Sequence, residues 1–234
     1  MSGTLYGLGV GPGDPELITV KALRLLQAAP VLAYPAPADG DSLARAIVAP
    51  HLNGGQTEIA IRIPMVAARF PAREVYDKAS DEISGHLAAG RDVAVICEGD
   101  PFFYGSFMYL FERMVDRFPV EVVPGVSSLM ACSTTLGAPL AARNDVLSVI
   151  PAPLDEAALR ARLETVDAAA IIKIGRHFAK VRAVLDELGM SERARYIEHA
   201  TMPSQRILPL DQVDGSGAPY FSMVLVHARG EAWR

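Results

Sequence analysis

At 234 residues, half of them apolar and about a fifth charged, the chain has room for one large apolar core or two smaller ones, and it excludes a disordered polar tail. A formal net charge of −5 without any basic stripe argues against nucleic acid as a partner. No apolar run approaches the length of a membrane span, the opening MSGTLYGLGV has no basic leader, and a cytoplasmic protein is the expectation.

The first half alternates short apolar or β-branched runs with longer helical patterns. The runs are 4–10 (TLYGLGV), 31–34 (VLAY), 57–63 (TEIAIRI), 92–97 (DVAVIC) and 120–123 (VEVV), a rhythm that predicts a mostly parallel sheet. Three helices are expected between them. The first runs through VKALRLLQAA with Val20, Leu23 and Leu26 on one side, the second opens at Asp41, and the third starts with Pro71 and ends before Gly90.

After a helix SSLMACSTTLG come the runs 146–152, 168–175 and 194–200, then RILPL and YFSMVLVHA separated by the turn DGSGAP. No helix separates that last pair, so a mixed sheet is expected here. The fold class is thus two α/β domains, 1–140 and 141–234, the first mostly parallel and the second mixed. Cys97 and Cys132 are the only cysteines, too few for a disulfide scaffold and wrongly spaced for zinc; buried thiols and no metal are expected.

Residues 7–19 read GLGVGPGDPELIT, directly after an apolar run. Four glycines in seven positions imply a demanding turn or a close ligand. In the dinucleotide frame G-x-G-x-x-G the sixth position is Pro12 when counted from Gly7 and Asp14 from Gly9, so both frames fail; a Walker loop needs Gly-Lys, which is absent. Asp14 and Glu16 would repel a phosphate, which suits the loop to a neutral or cationic ligand. These failures weigh against the alternative of a nucleotide-binding module without catalysis. CEGDPFFYGS (97–106) and VVPGVSS (122–128) take the same place after their own strands, and three such loops at strand carboxyl ends form a plausible shared site.

The ordered set GVGPGDPELIT, EGDPFFYGS, VVPGVSS, IIKIGRH and YIEHAT resembles the tetrapyrrole methylase family of S-adenosylmethionine-dependent enzymes across nearly the whole chain. AYP (33–35), RNDVLSVIPA (143–152), KIGRH (173–177) and PYFSM (219–223) resemble its C-20 methyltransferases of corrin synthesis. The resemblance implies a homodimer of two-domain α/β subunits, a donor cleft between the domains, and methylation of precorrin-2 or its cobalt-loaded counterpart at the meso carbon between rings A and D. It implies donor contacts at Pro12, Glu98, Gly99, Asp100, Phe103, Ser127, Ser128, Ile174 and Ala200, and S-adenosylhomocysteine as product. The Asp that follows Tyr in uroporphyrinogen-methylating relatives is Pro35 here, so that acid/base group does not carry over.

Four groups near strand ends, Glu98, Tyr104, His177 and His199, are candidates for a proton acceptor. The substrate's eight carboxylates call for a local positive rim, for which Arg143, Arg176 and Arg206 are the candidates. Each has an ordinary alternative: turn and cap chemistry for Glu98 and Asp100, core packing for Phe102, Phe103 and Tyr104, and solvated surface charge for the arginines.

Overall fold

The structure, a computed structural model, describes residues 1–63, 73–214 and 217–227. These form two compact units, Met1–Ser127 and Ser128–Arg234.

In the first unit, strands β1 (Leu5–Gly9), β2 (Val31–Pro37), β3 (Thr57–Ile63), β4 (Val93–Cys97) and β5 (Val120–Val123) form one parallel sheet in the order β3-β2-β4-β1-β5. Four helices make the crossovers: α1 (Val20–Ala28), α2 (Leu43–Val48), α3 (Arg73–Ala88) and α4 (Phe107–Met114). Right-handed crossovers require α1 and α2, which travel toward β3, to lie on one face and α3 and α4 on the other. The core follows that rule. Leu25, Leu26, Ile47 and Val48 pack on Leu8, Leu32 and Ile96, whereas Tyr76, Ile83, Phe107 and Leu110 pack on Leu5, Ala33, Val93 and Val95. Strands buried on both faces read as continuous apolar runs, which is why these were legible.

Two helix details differ from expectation. Val20 is 84% exposed, and α1 turns Ala22, Leu25 and Leu26 inward, the i, i+3, i+4 stripe that starts two residues later. The cap of α2 is Ser42 rather than Asp41: its Oγ accepts from the Arg45 N–H at 3.2 Å. The expected start of α3 at Pro71 lies outside the described residues; its end is as read, with Gly90 at φ +77° just beyond it.

The second unit contains α5 (Ser128–Leu136), β6 (Leu147–Pro151), α6 (Glu156–Leu163), β7 (Ala168–Ile172), α7 (Phe178–Glu187), β8 (Ala194–Glu198), β9 (Arg206–Leu208) and β10 (Ser222–His227). Its sheet order is β6-β7-β10-β8-β9, parallel between β6 and β7 and antiparallel elsewhere, the mixed sheet expected from the missing last crossover helix. One face is covered by α6 and α7 through Leu159, Leu163, Phe178, Val181 and Leu185. The other is covered by α5, whose Leu129 and Cys132 pack with Ala170, Ile172, Ile197 and Met223. Because α5 supplies that second layer, the units divide at Ser127/Ser128, ahead of the boundary expected near 140. Cys97 and Cys132 are both buried, and burial pushes each thiol up to about 12.

A single close contact ties β1 to α4. A Cβ on Gly7 would lie 2.6 Å from Phe107 Cδ1, so the fully buried phenylalanine ring occupies the space a side chain on β1 would need. Gly7→Ala is therefore expected to cost about 1–3 kcal/mol by overpacking. Adding Phe107→Leu to Gly7→Ala should restore part of that loss, a non-additive cycle measurable by urea denaturation.

Candidate functional site

Strand order places β4, β1 and β5 side by side, so the three Gly/Pro loops that follow them emerge next to one another. From β1 the chain leaves through α1 toward β2, and from β4 through α4 toward β5, on opposite faces. Such a reversal is where ligands bind in open α/β sheets.

Here the loops close on each other through their main chains. Val10 N–H donates to Cys97 O at 3.0 Å, Gly99 N–H to Gly11 O at 2.7 Å, and Gly11 N–H returns to Gly99 O at 3.4 Å, an isolated antiparallel bridge. A Cβ on Gly9 would stand 2.5 Å from Gly125 N and 2.6 Å from Gly99 O, and one on Gly125 would stand 2.8 Å from Gly9 Cα and overlap Gly99 O. Glycine is required at 9 and 125 by this approach of backbones. At Gly11 the requirement is conformational, with φ at +84°.

Asp100 pins the assembly. Its Oδ1 accepts from Phe102 N–H at 2.9 Å and Phe103 N–H at 3.0 Å, and its Oδ2 accepts from Gly125 N–H at 3.0 Å. One carboxylate thus fixes its own turn and clamps it to the β5 loop. Asp14 acts similarly within the first loop, where its Oδ1 accepts from Glu16 N–H at 2.8 Å at the start of a 3-10 turn. The turn and cap alternative for Asp100 describes its side chain correctly.

Glu98 sits half-buried at the end of β4, where its Oε1 accepts from Ala44 N–H at 3.1 Å in the first turn of α2. Burial holds its carboxyl above the usual range. Beyond the Asp100 turn, Phe102, Phe103 and Tyr104 are exposed by 38–49%, with Phe103 and Tyr104 edge to face at 5.1 Å. Phe102 does pack on the next helix, its ring 5.1 Å from Phe111 and 6.2 Å from Phe107, whereas Phe103 and Tyr104 pair with each other. Tyr104 has φ +56°, and at Gly105 a Cβ would stand 2.5 Å from both Asp100 O and Pro101 O, so the turn folds back upon itself. Pro12 is buried, Ser127 half-buried, and Ser128 exposed as the first residue of α5.

Around Tyr34 and Pro35 the chain has a closed polar cluster. Tyr34 Oη donates to Glu58 Oε2 at 2.9 Å, Arg45 binds both Glu58 oxygens at 2.9 Å, and Ser42 Oγ donates to Pro35 O. The Arg45 hydrogen bond holds Glu58 below the usual carboxylate range, and burial raises the Tyr34 phenol.

In the second unit Ile174, Arg176, His177, His199 and Ala200 follow the carboxyl ends of β7 and β8, while Ser128 opens α5 and Arg143 precedes β6. Ile174 is fully buried in the α6/α7 core and Ala200 in the α5 layer, so contact with a ligand there is left to their main chains. His199 has φ +47°; its Nδ1 lies 3.2 Å from Ser204 Oγ and its N–H donates to Phe221 O at 2.8 Å. His177 is held below its ordinary value by burial first and then by Lys180 and Arg176. Arg143 and Arg176 are exposed, while Arg206 lies 3.4 Å from the buried Glu198, which also accepts from Tyr196 Oη at 2.9 Å. Sequence reading did not single out Lys173, at φ +59°, and no residue-type signal marks such a backbone. The double role of Asp100 was partly announced by Asp-Pro-Phe, a common turn opening.

Among the described residues no group of His, Cys, Asp and Glu could hold a metal ion, and no helix is long and apolar enough to cross a membrane.

Comparison with known proteins agrees with this architecture. The sequence model of the Tetrapyrrole (Corrin/Porphyrin) Methylases matches residues 4–214. A Precorrin-2 C(20)-methyltransferase from Sinorhizobium sp is 42% identical over 96% of this chain and 95% of its own length. A Cobalt-precorrin-2 C(20)-methyltransferase from Salmonella typhimurium is 34% identical, with 99% of each chain covered. Cobalamin biosynthesis protein CobIJ of Mycobacterium tuberculosis is 43% identical over 96% of this chain, but the chain spans only about half of that relative, 46% of its length. Among solved structures, the cobalt precorrin-4 methyltransferase CbiF superposes with a TM-score of 0.75 at 25% identity, covering 97% of this chain and 96% of that one. A uroporphyrin-III C-methyl transferase from Thermus thermophilus complexed with S-adenosylhomocysteine shares the fold, with a TM-score of 0.69 at 24% identity over 96% of this chain and 92% of that one. A parallel five-stranded sheet with three interlocked loops, a mixed five-stranded sheet and a family match spanning both make this chain a member of the tetrapyrrole (corrin/porphyrin) methylase family.

Proposed function

We propose that the protein transfers a methyl group from S-adenosylmethionine to C-20 of precorrin-2, giving precorrin-3A and S-adenosylhomocysteine in cobalamin biosynthesis. The observation that carries this reading is the end-to-end likeness to the Sinorhizobium precorrin-2 enzyme. The loop wall supports it: a cationic, phosphate-free donor suits a surface built of backbone and aromatic faces. The likeness to the Salmonella enzyme supports a second reading, in which the acceptor is the cobalt-loaded counterpart. A homodimer in the cytoplasm belongs to the same proposal.

In the transfer the sulfonium S–CH3 bond breaks with its electron pair left on sulfur, a π pair of the meso carbon forms the new C–C bond, and the meso proton then departs. The protein's task is alignment, and positioning alone supplies several kcal/mol. The Asp100 clamp, together with Gly99 and the aromatic triplet, holds the donor wall rigid. Pro12, Phe103, Ser127, Ser128, Ile174 and Ala200 are assigned donor contacts; Arg143, Arg176 and Arg206 receive substrate carboxylates. Glu98, Tyr104, His177 and His199 are the groups proposed for the departing proton, and the neutral His177 ring is in the right form to accept it.

Anaerobic incubation of the pure protein with methyl-labelled donor and precorrin-2 should yield a labelled trimethylated product. Label in neither the metal-free nor the cobalt-loaded tetrapyrrole would refute the reading, and calorimetric preference for ATP or NAD over S-adenosylhomocysteine would replace it with a nucleotide-binding one. Gly125→Ala, which drives a Cβ into Gly99 O, should weaken S-adenosylhomocysteine by about tenfold or more while costing roughly 1–3 kcal/mol of stability.

Glu98 supplies a pH test. Its folded pKa is raised, so the neutral carboxyl is the form the fold favours; that stability is fully present below the unfolded pKa and is lost as pH rises through the folded one. Glu98→Gln keeps an acceptor for Ala44 N–H without the charge. The variant should melt above the wild type at neutral pH and match it in acid below about pH 4, where both are uncharged.

A further inference from the structure

We propose that Lys173, at the carboxyl end of β7, binds a ligand carboxylate: an acetate or propionate arm of the tetrapyrrole, or the carboxylate of the methyl donor. The inference rests on the methyltransferase reading above and adds a binding residue to it.

Three of the five non-glycine residues with positive φ among the described residues, Lys173, His199 and Thr201, lie at the ends of β7 and β8. The other two are Tyr104 and Arg143. Lysine has no short polar side chain to compensate a left-handed backbone as Asn or Asp does, so the conformation is imposed by its surroundings, and imposed strain clusters at ligand sites. What imposes it is visible in the packing. Ile172 packs in the α5 layer and Ile174, two residues on, in the opposite α6/α7 layer. A regular strand would put both on one face. The turn at Lys173 switches the chain between layers and leaves the lysine half-buried at the rim of the sheet.

The surroundings form a polar and aromatic rim. Leading into β10, Pro219–Phe221 is held on one side by Gly175 N–H donating to Pro219 O at 3.3 Å, and on the other by His199 N–H donating to Phe221 O at 2.8 Å. Tyr220 and Phe221 are exposed and stand edge to face at 5.2 Å. The chain at Lys173 therefore leaves the sheet beside the segment that carries an exposed aromatic pair, a pattern suited to an apolar macrocycle or adenosyl group that ends in carboxylates. Burial lowers the Lys173 ammonium from its ordinary range, and a partly desolvated ammonium gains more from a carboxylate than a solvated one.

The test compares Lys173→Met and Lys173→Arg with the wild type. Both keep an unbranched side chain, so the left-handed backbone carries the same penalty in all three proteins and melting temperatures should agree. Calorimetry with S-adenosylhomocysteine and absorbance titration with precorrin-2 are the binding readouts, with KM and kcat measured beside them. Lys173→Met should weaken one of the two ligands by about tenfold or more, and Lys173→Arg should recover most of the loss. A loss confined to S-adenosylhomocysteine assigns the donor carboxylate, and a rise in the precorrin-2 dissociation constant and KM assigns an arm of the macrocycle. Unchanged affinity for both in the Met variant overturns the proposal, as does an equal loss in the Arg variant. A wild type that binds both ligands without methyl transfer would sink the reaction assignment and leave the Lys173 comparison decisive by binding alone.

Discussion

The loop wall of the first unit depends on three backbones that touch. Gly9, Gly99 and Gly125 come from the ends of three neighbouring strands, and the absence of a Cβ at Gly9 and Gly125 lets their main chains meet each other and the Gly99 carbonyl at distances no other residue permits there. Strand spacing alone would keep adjacent loops nearly 5 Å apart. Here the β1 and β4 loops pair directly through Gly11 and Gly99, and the β5 loop is drawn onto them by the Asp100 carboxylate. The topology supplies adjacency, the glycines supply contact and the carboxylate fixes the arrangement. The result is preorganisation: the exposed aromatics of the 102–104 turn are presented by a main chain whose geometry is already determined.

The second unit reaches its site by a different route. Its sheet is buried between α5 on one side and α6 and α7 on the other, and the ends of β7 and β8 carry left-handed residues rather than interlocked glycines. Left-handed positions there let apolar side chains return to the core while the main chain stays at the rim. Ile174 and Ala200 illustrate this: both side chains are packed away. Any specificity they confer is therefore steric and through the backbone, so their side chains answer to packing rather than to chemistry. Glu198 and Tyr196 belong to the same rim but are coupled to each other and to Arg206, a buried polar group with its hydrogen bonds met.

Much of this was legible in the sequence. The parallel strands are short apolar runs because both faces are covered, and their limits agree with the structure to within a few residues. The mixed character of the second sheet followed from one missing crossover. Strand order was not legible, since the burial pattern of β1 is the same whichever neighbours it has. The face of α1 was misread because Val20 and Leu23 fit a helical spacing as well as Leu25 does; only tertiary contact chooses the stripe. The unit to which α5 belongs was not legible, because that helix is apolar enough to serve either sheet. Lys173 was passed over because its feature is a dihedral angle, and the polar cluster of Tyr34, Arg45 and Glu58 joins residues far apart in the chain.

The acidic residues of the loops were read as favouring a cationic ligand by charge, and the geometry replaces that reason with a stronger one. A phosphate cradle works by offering unsatisfied backbone N–H groups to an anion. In these loops several of the donors are already used. Asp100 takes the N–H groups of Phe102, Phe103 and Gly125, Asp14 takes that of Glu16, and Gly11 and Gly99 take each other's. Both Asp100 oxygens and Oδ1 of Asp14 thus act as acceptors for the protein's own N–H groups. Phe103 and Tyr104 stay exposed beside these bonded carboxylates, and so does Glu16. Each N–H taken in this way is one donor fewer for an anion, so a phosphate entering these loops would lose hydration with fewer hydrogen bonds to replace it.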